Sequence, residues 1–131
     1  MKRLIFAFLM IAMMVFASTF PQKGRAETVR RDEAIVEFPD TVKLVNVLLK
    51  GRYLVVHDEA RMAEGFPCLY VYGFKDGVAN NLIVSFHCLH MERQTADKFT
   101  VTLSSRKSPY DVPEVRELQF AGSPDGHGVP K

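Results

Sequence analysis

The sequence lacks most of the features that mark a functional class. Its charge excess is small, with 17 Lys and Arg residues against 15 Asp and Glu, and no basic stripe suggests nucleic-acid binding. It has no phosphate-binding glycine-rich loop, no helical histidine pair around a glutamate and no nucleophile elbow. It has no internal repeat, and with 47% apolar residues it is neither collagen, coiled coil nor largely disordered. These absences weaken the case for an enzyme without excluding one.

A single long apolar run is present, and it lies at the N-terminus. Lys2 and Arg3 precede the 14 apolar residues 4–17, which are too few for a membrane span but fit a signal-peptide core of about 7–15 residues. Cleavage after Ala26 is favoured over cleavage after Ala17 because the strand pattern begins beyond it, and an uncleaved anchor is the alternative. We therefore expect a signal peptide at residues 1–26, export to the periplasm or outside, and no membrane span afterwards.

The mature chain has the two-residue periodicity of strands. Apolar and β-branched runs predict seven strands, at residues 35–38, 42–49, 52–57, 68–74, 82–90, 99–103 and 115–120. The pattern predicts an all-β domain over residues 27–121, either a small antiparallel β-sandwich or a partly closed barrel.

The connections carry further expectations. Pro39-Asp40 should end the first strand, and Lys50-Gly51 should form a hairpin between the second and third. Asp58 should cap one short helical turn that ends at Gly65. Residues 122–131, which are rich in Gly and Pro, should form an irregular C-terminal arm.

Two cysteines fall in neighbouring predicted strands. If these two strands pair antiparallel so that the numbers of opposed residues sum to 156, residues of similar type lie opposite each other. The pairs are Phe74 with Leu82, Tyr72 with Val84, Tyr70 with Phe86, and Cys68 with Cys88. Opposed residues have Cα atoms about 4.5–5.5 Å apart, which is within disulfide reach. Because an exported chain meets oxidising conditions, a Cys68–Cys88 disulfide is predicted.

A metal site is the sharper hypothesis for the same region. Thiolate and imidazole ligands, with Met62 or Met91 nearby, suit copper or zinc. The candidate ligands are His57, Cys68, His87, Cys88, His90 and His127. A nucleophilic Cys88 is disfavoured because the adjacent His87 would project to the opposite face of a strand.

The placement of His57 and His127 tests this hypothesis. His57 precedes Asp58, which is either an orienting carboxylate or, as favoured here, a helix cap. The short connection over residues 58–65 joins the end of one strand to the start of the next. We therefore expect His57, Cys68 and Cys88 at one end of the sheet, with the arm carrying His127 folded over them on a mobile glycine-flanked backbone.

Short segments along most of the mature chain carry a recognisable pattern. They are residues 50–53, 56–58, 67–68, 84–88, 119–123 and 126–130. This pattern resembles a group of small exported bacterial all-β proteins of unassigned function. The resemblance implies a signal peptide and a small β domain, and it transfers no catalytic role.

Two function classes remain open. The first is an exported non-enzymatic binding or structural module of the cell envelope, stabilised by Cys68 and Cys88, without a cofactor. Its partner would be an envelope protein or a small ligand that the sequence does not identify. The alternative is a periplasmic or secreted metal-binding protein that uses Cys and His ligands for copper or zinc.

Overall fold

The computed structural model describes residues 29–131, so the predicted signal peptide lies outside the described residues. The elements in chain order are β1 Arg31–Leu44, β2 Val47–Asp58, α1 Glu59–Ala63, β3 Leu69–Lys75, β4 Val78–Phe86, β5 Leu89–Glu92, β6 Thr100–Leu103, β7 Val115–Gln119 and β8 Asp125–Gly128. They form two antiparallel sheets of four strands, in the orders β1-β2-β3-β4 and β5-β8-β7-β6. The predicted all-β class is confirmed, as two open sheets and not a closed barrel.

The β1–β2 hairpin is longer than predicted. β1 continues through Pro39 because a register shift between Phe38 and Val42 takes up the extra residues, and a bulge tolerates a residue without an N–H donor. The chain turns at Val45-Asn46 instead, where Val45 has a φ of 57°. The predicted strand end at Pro39-Asp40 and the predicted turn at Lys50-Gly51 were therefore wrong.

The β3–β4 hairpin also has a different register from the predicted one. Leu69 lies opposite Phe86 and Lys75 lies opposite Val78, with two register shifts between. The turn is the dipeptide Asp76-Gly77, whose φ values of 54° and 76° suit a two-residue hairpin loop. The predicted sum of 156 was wrong because this Asp-Gly signal was placed inside a longer loop.

Two further segments differ from the prediction in ways that shape the site. The predicted strand at residues 82–90 is two strands, β4 and β5, which belong to different sheets. His87 and Cys88 form the crossover between them. The tail is not an irregular arm at residues 125–128, because β8 pairs with β5 on one side and with β7 on the other.

The predicted helical turn is confirmed as α1. Asp58 is its N-cap, and its Oδ1 accepts hydrogen bonds from the backbone N–H groups of Ala60 and Arg61 at 3.1 and 3.2 Å. Such a cap is worth about 1 kcal/mol. Over residues 29–131, no helix is long and apolar enough to cross a membrane.

The core lies between the two sheets. Its buried members are Phe38, Val42, Leu44, Leu49, Val55, Cys68, Leu69, Val71, Phe86, Val115, Leu118 and Phe120. Most come from the first sheet, and the last three come from β7 and the residue after it. Each large apolar side chain buried this way stabilises the fold by about 1.5–3 kcal/mol. The packing brings the end of β2 against β8, which is where two histidines meet.

Candidate metal site

Three of the predicted ligands converge at one rim of the sandwich. His57 is the second-to-last residue of β2 in the first sheet, His127 lies in β8 of the second, and Cys88 lies in the crossover that joins the sheets. One ligand atom from each of the three lies within 4.8 Å of the others. We call this group and the cavity beside it the histidine cleft.

The two imidazoles stack against each other and against an aromatic ring. The centroids of His57 and His127 are 4.1 Å apart with the rings tilted by 35°, and Phe120 lies 6.3 and 5.8 Å from them. Only 5% of His57 and 6% of His127 is exposed. This is an apolar wall behind two nitrogen-bearing rings, which is the usual setting of imidazole ligands.

Burial keeps both rings neutral. It lowers the pKa of His57, an effect that Asp32 and Glu59 partly oppose. Burial, aided by the repulsion that a protonated His57 would exert, lowers the pKa of His127 to about 4. A neutral imidazole has a free lone pair on one nitrogen, so at neutral pH the pair can accept a metal without first losing a proton.

A carboxylate from the neighbouring strand faces His57. Asp32 in β1 is the register partner of His57, and its Oδ2 lies 3.7 Å from His57 Nδ1. Among residues 29–131, that buried Nδ1 has no hydrogen-bond partner. The carboxylate favours the tautomer with the proton on Nδ1, which leaves Nε2 as the nitrogen available to a ligand. Arg30 holds Asp32 in place through a 2.9 Å ion pair.

The cavity of the histidine cleft has a volume of about 210 Å³. Besides the three converging residues, its walls are formed by Glu59, Met62, His90 and Asp125. Two carboxylates, a thioether and a further imidazole thus surround it. Among the described His, Cys, Asp and Glu residues, only His57, Cys88 and His127 have ligand atoms within 4.8 Å of one another, so a further ligand from the cavity wall would have to move inward.

Close packing on both sides explains the glycines that flank His127. A Cβ at Gly126 would overlap the carboxylate of Glu117, and one at Gly128 would lie 3.1–3.2 Å from Leu89 and Met91 atoms. Glu117 is itself fixed by two hydrogen bonds from Arg93, of 2.8 and 2.9 Å. The predicted mobile backbone at His127 was wrong, since these glycines lie in the middle of a sheet.

The predicted disulfide is present between Cys68 and Cys88, whose Cα atoms are 6.2 Å apart. The two cysteines differ in surroundings. Cys68 is only 2% exposed and belongs to the core, whereas Cys88 is half-buried and lines the histidine cleft. In this oxidised form neither sulfur is a thiolate.

The other candidate ligands lie farther from the centre. Cys68 is behind Cys88, and His90, with 64% of its side chain exposed, is at the mouth of the cavity. His87 is exposed and does not line the cavity. The expectation that His57 and the cysteines share one end is met, with His127 beside them. Their role as ligands stays a prediction.

The acidic groups of the site were not among the residues predicted from the sequence. Asp58 is a helix cap, as favoured, and the carboxylate that faces His57 is Asp32. Extending the first strand back by four residues from Ile35 would have exposed this pairing. Glu59 and Asp125 offered no comparable signal, because their place depends on how α1 and β8 pack.

No family model, no curated protein and no solved structure matches the chain. The resemblance to exported bacterial β proteins therefore stays an expectation.

Proposed function

We propose that the protein is an exported, non-enzymatic binding module whose ligand is a transition-metal ion, copper or zinc, held in the histidine cleft. The observation that carries the proposal is the pair of buried, neutral imidazoles of His57 and His127, 4.1 Å apart at the wall of a cavity. Among residues 29–131, the buried Nδ1 of His57 has no hydrogen-bond partner, which costs stability. An ion bound at Nε2 would make the Nδ1–H a stronger donor toward the carboxylate of Asp32.

The surrounding groups narrow the choice of metal. Imidazole nitrogens suit zinc and copper, and the thioether of Met62 at the cavity favours copper. Calcium and magnesium prefer sites built of oxygen ligands, whereas only Glu59 and Asp125 among the cavity residues carry carboxylates. Divalent copper should therefore bind more tightly than zinc, as the general affinity order requires.

Export rests on the leader and on the disulfide. The leader has the form of a signal peptide, and a disulfide between Cys68 and Cys88 is favoured in oxidising compartments such as the periplasm. Mass spectrometry of the protein from its native host should find a mature N-terminus near Glu27. An intact N-terminus retained in the membrane fraction would contradict this part of the proposal.

The test of metal binding is calorimetric titration of the oxidised protein with copper(II) and with zinc(II). His57→Ala and His127→Ala should each weaken binding at least about 100-fold, since even indirect partners of a ligand are worth 10–100-fold. His87→Ala is the matched control because it removes an exposed imidazole next to Cys88 but outside the cavity. Equal affinities in all four proteins would overturn the proposal.

A disulfide-stabilised module without any metal is the second candidate, supported by the complete incorporation of Cys68 into the core. Elemental analysis and thiol counting on protein from the native compartment separate the two. Stoichiometric copper or zinc supports the metal-binding module. Neither metal nor free thiol supports the second candidate.

A further inference from the structure

The sulfur of Cys88 takes part in both a disulfide bond and the candidate metal cluster. It is half of the disulfide with Cys68, and it is one corner of the cluster with His57 and His127. We propose that reduction of this disulfide adds the Cys88 thiolate to the two imidazoles, so that the redox state of the cysteine pair sets the affinity and the kind of metal bound. This inference rests on the proposed function and states how metal binding at the same site would be regulated.

Of the two disulfide sulfurs, that of Cys88 is the one that a reductant can reach from the histidine cleft. Cys68 is only 2% exposed, whereas Cys88 is half-buried and lines the cavity. A thiolate of an external dithiol can therefore attack the Cys88 sulfur, form a mixed disulfide and release the Cys68 sulfur, which takes up a proton. The second thiol of the dithiol then displaces Cys88. In total, the protein disulfide gains two electrons and two protons, and the dithiol becomes a disulfide.

The released Cys68 thiol already has partners in the core. Its sulfur lies 2.9 Å from the backbone nitrogen of Cys88, which donates to it, and 3.6 Å from the carbonyl oxygen of Phe86. After reduction the thiol can donate to that carbonyl. These contacts would hold the Cys68 side chain in place, while the side chain of Cys88 could turn toward the histidines.

The released Cys88 can reach a shared ion with a small movement. Ligand atoms around one zinc or copper ion lie about 3.3–3.8 Å apart, given bonds of about 2.0–2.3 Å. The cluster atoms are within 4.8 Å of each other in the oxidised protein. Cys88 lies in the crossover between β4 and β5, outside both strands, so no ladder hydrogen bonds of its own strand oppose the shift.

Adding the thiolate changes the chemistry of the site. Two imidazoles alone form a site for a divalent ion, whereas two imidazoles and a thiolate also suit copper(I) and bind zinc more tightly. Metal binding removes the Cys88 proton, because the thiolate is the ligand. The site would therefore hold metal firmly when reducing equivalents are supplied and weakly when the disulfide re-forms.

The experiment compares oxidised and reduced full-length protein. The protein is reduced with a dithiol, separated from it without oxygen, and titrated with zinc(II) and, as a spectroscopic probe, cobalt(II). Reduction should tighten zinc binding at least about 100-fold and produce a thiolate-to-cobalt charge-transfer band that the oxidised protein lacks. This comparison requires no substitution.

Two matched variants identify the sulfur that binds. Cys68→Ser leaves Cys88 unpaired, so the cobalt band should appear without reductant. Cys88→Ser leaves Cys68 alone in the core, so this variant should show no band and should bind zinc as the oxidised wild type does. A band in Cys88→Ser, or no band in Cys68→Ser, would overturn the inference.

The outcomes distinguish this inference from the function on which it rests. If the oxidised protein binds metal through its histidines and reduction changes neither affinity nor spectrum, the redox control is wrong and the metal-binding function stands. If neither redox state binds metal, the function itself fails.

Discussion

Within residues 29–131, two clefts lie at opposite ends of the β1–β2 hairpin, and the smaller one contains the candidate metal ligands. The larger cleft has a volume of about 390 Å³ and is lined by Lys43, Val45, Asn46, Glu114, Val115, Arg116, Val129, Pro130 and Lys131. We call it the charged cleft. The histidine cleft, of about 210 Å³, is smaller but is lined by two buried imidazoles and by the sulfurs of Cys88 and Met62.

The two clefts differ in how their polar groups are paired. In the charged cleft, Arg116 and Glu114 form a 3.2 Å ion pair with both side chains nearly half exposed, which is worth at most about 1 kcal/mol and leaves nothing unsatisfied. In the histidine cleft the Nδ1 of His57 is buried and unpaired within the described chain. Unsatisfied buried polarity, and not volume, therefore marks the candidate site.

Among the tests of this difference between the clefts, acidification should have the largest effect, which is a loss of folding stability. Below pH 6.5 the unfolded chain binds protons on its histidines, whereas burial holds the pKa of folded His127 at about 4 and lowers that of His57. Stability is therefore complete above pH 6.5 and is lost as the pH falls toward 4. For His127 the loss is about 3 kcal/mol, and this figure already includes the opposing charges of Asp125 and Asp32 and the added repulsion from His57 and His90.

Urea unfolding of the metal-free protein at pH 7 and at pH 4 measures the loss. Because carboxylates elsewhere titrate in the same range, the informative quantity is the difference between proteins. His127→Gln should lose about 3 kcal/mol less than the wild type over this interval. The exposed His87→Gln should follow the wild-type curve, and an identical pH dependence in all three proteins would refute the buried neutral imidazole.

A smaller effect is expected when the strand that carries His127 is disturbed. In Gly126→Ala the new methyl group would overlap the carboxylate of Glu117 and force it away from Arg93. Because Glu117 is largely buried, we expect a loss of about 2 kcal/mol of stability and weaker metal binding as β8 shifts.

Gly73→Ala is the matched control in the other sheet. Its methyl group would lie 3.5 Å from the Cβ of Asn80, which is an ordinary contact, so its stability should stay within about 0.5 kcal/mol of the wild type. Thermal unfolding measures both variants. Equal stabilities would mean that Glu117 moves aside at no cost and that β8 is not locked.

The same residues show how far the sequence could predict the site. The all-β class, the cap at Asp58 and the shared end of His57 and Cys88 follow from local pattern, since alternation and short connections fix them. The disulfide is present although the register that predicted it was wrong, because Cys68 and Cys88 lie just outside β3 and β4. The inner position of β8 could not be predicted, because Gly126-His127-Gly128 has no alternating side chains. Its strand conformation depends on β5 and β7 packing on both sides of it.

The crossover at Cys88 could not be predicted from the sequence for a different reason. The run from Leu82 to His90 is mostly apolar, and neither Gly nor Pro marks the place where the chain leaves one sheet for the other. Similarly, Pro39 was taken as a strand end because a bulge cannot be distinguished from a break by sequence. That error cut β1 short after Phe38. Asp32 was missed for a separate reason, because the predicted strand began at Ile35, four residues after the start of β1 at Arg31.

Asp32 provides the smallest and most specific test of the comparison. Asp32→Asn keeps the shape of the side chain but removes the charge that faces His57 Nδ1 at 3.7 Å. Losing such an outer partner should weaken copper or zinc binding about 10-fold. The charge also raises the pKa of His57, so in the metal-free variant that pKa, followed by NMR, should fall further, which a purely structural role would not produce.

Glu114→Gln makes the same chemical change in the charged cleft and should alter neither the metal affinity nor the pKa of His57. If both variants bind metal as the wild type does and the His57 pKa is unchanged, Asp32 does not orient the ring, and the contrast between the clefts rests on His57 and His127 alone.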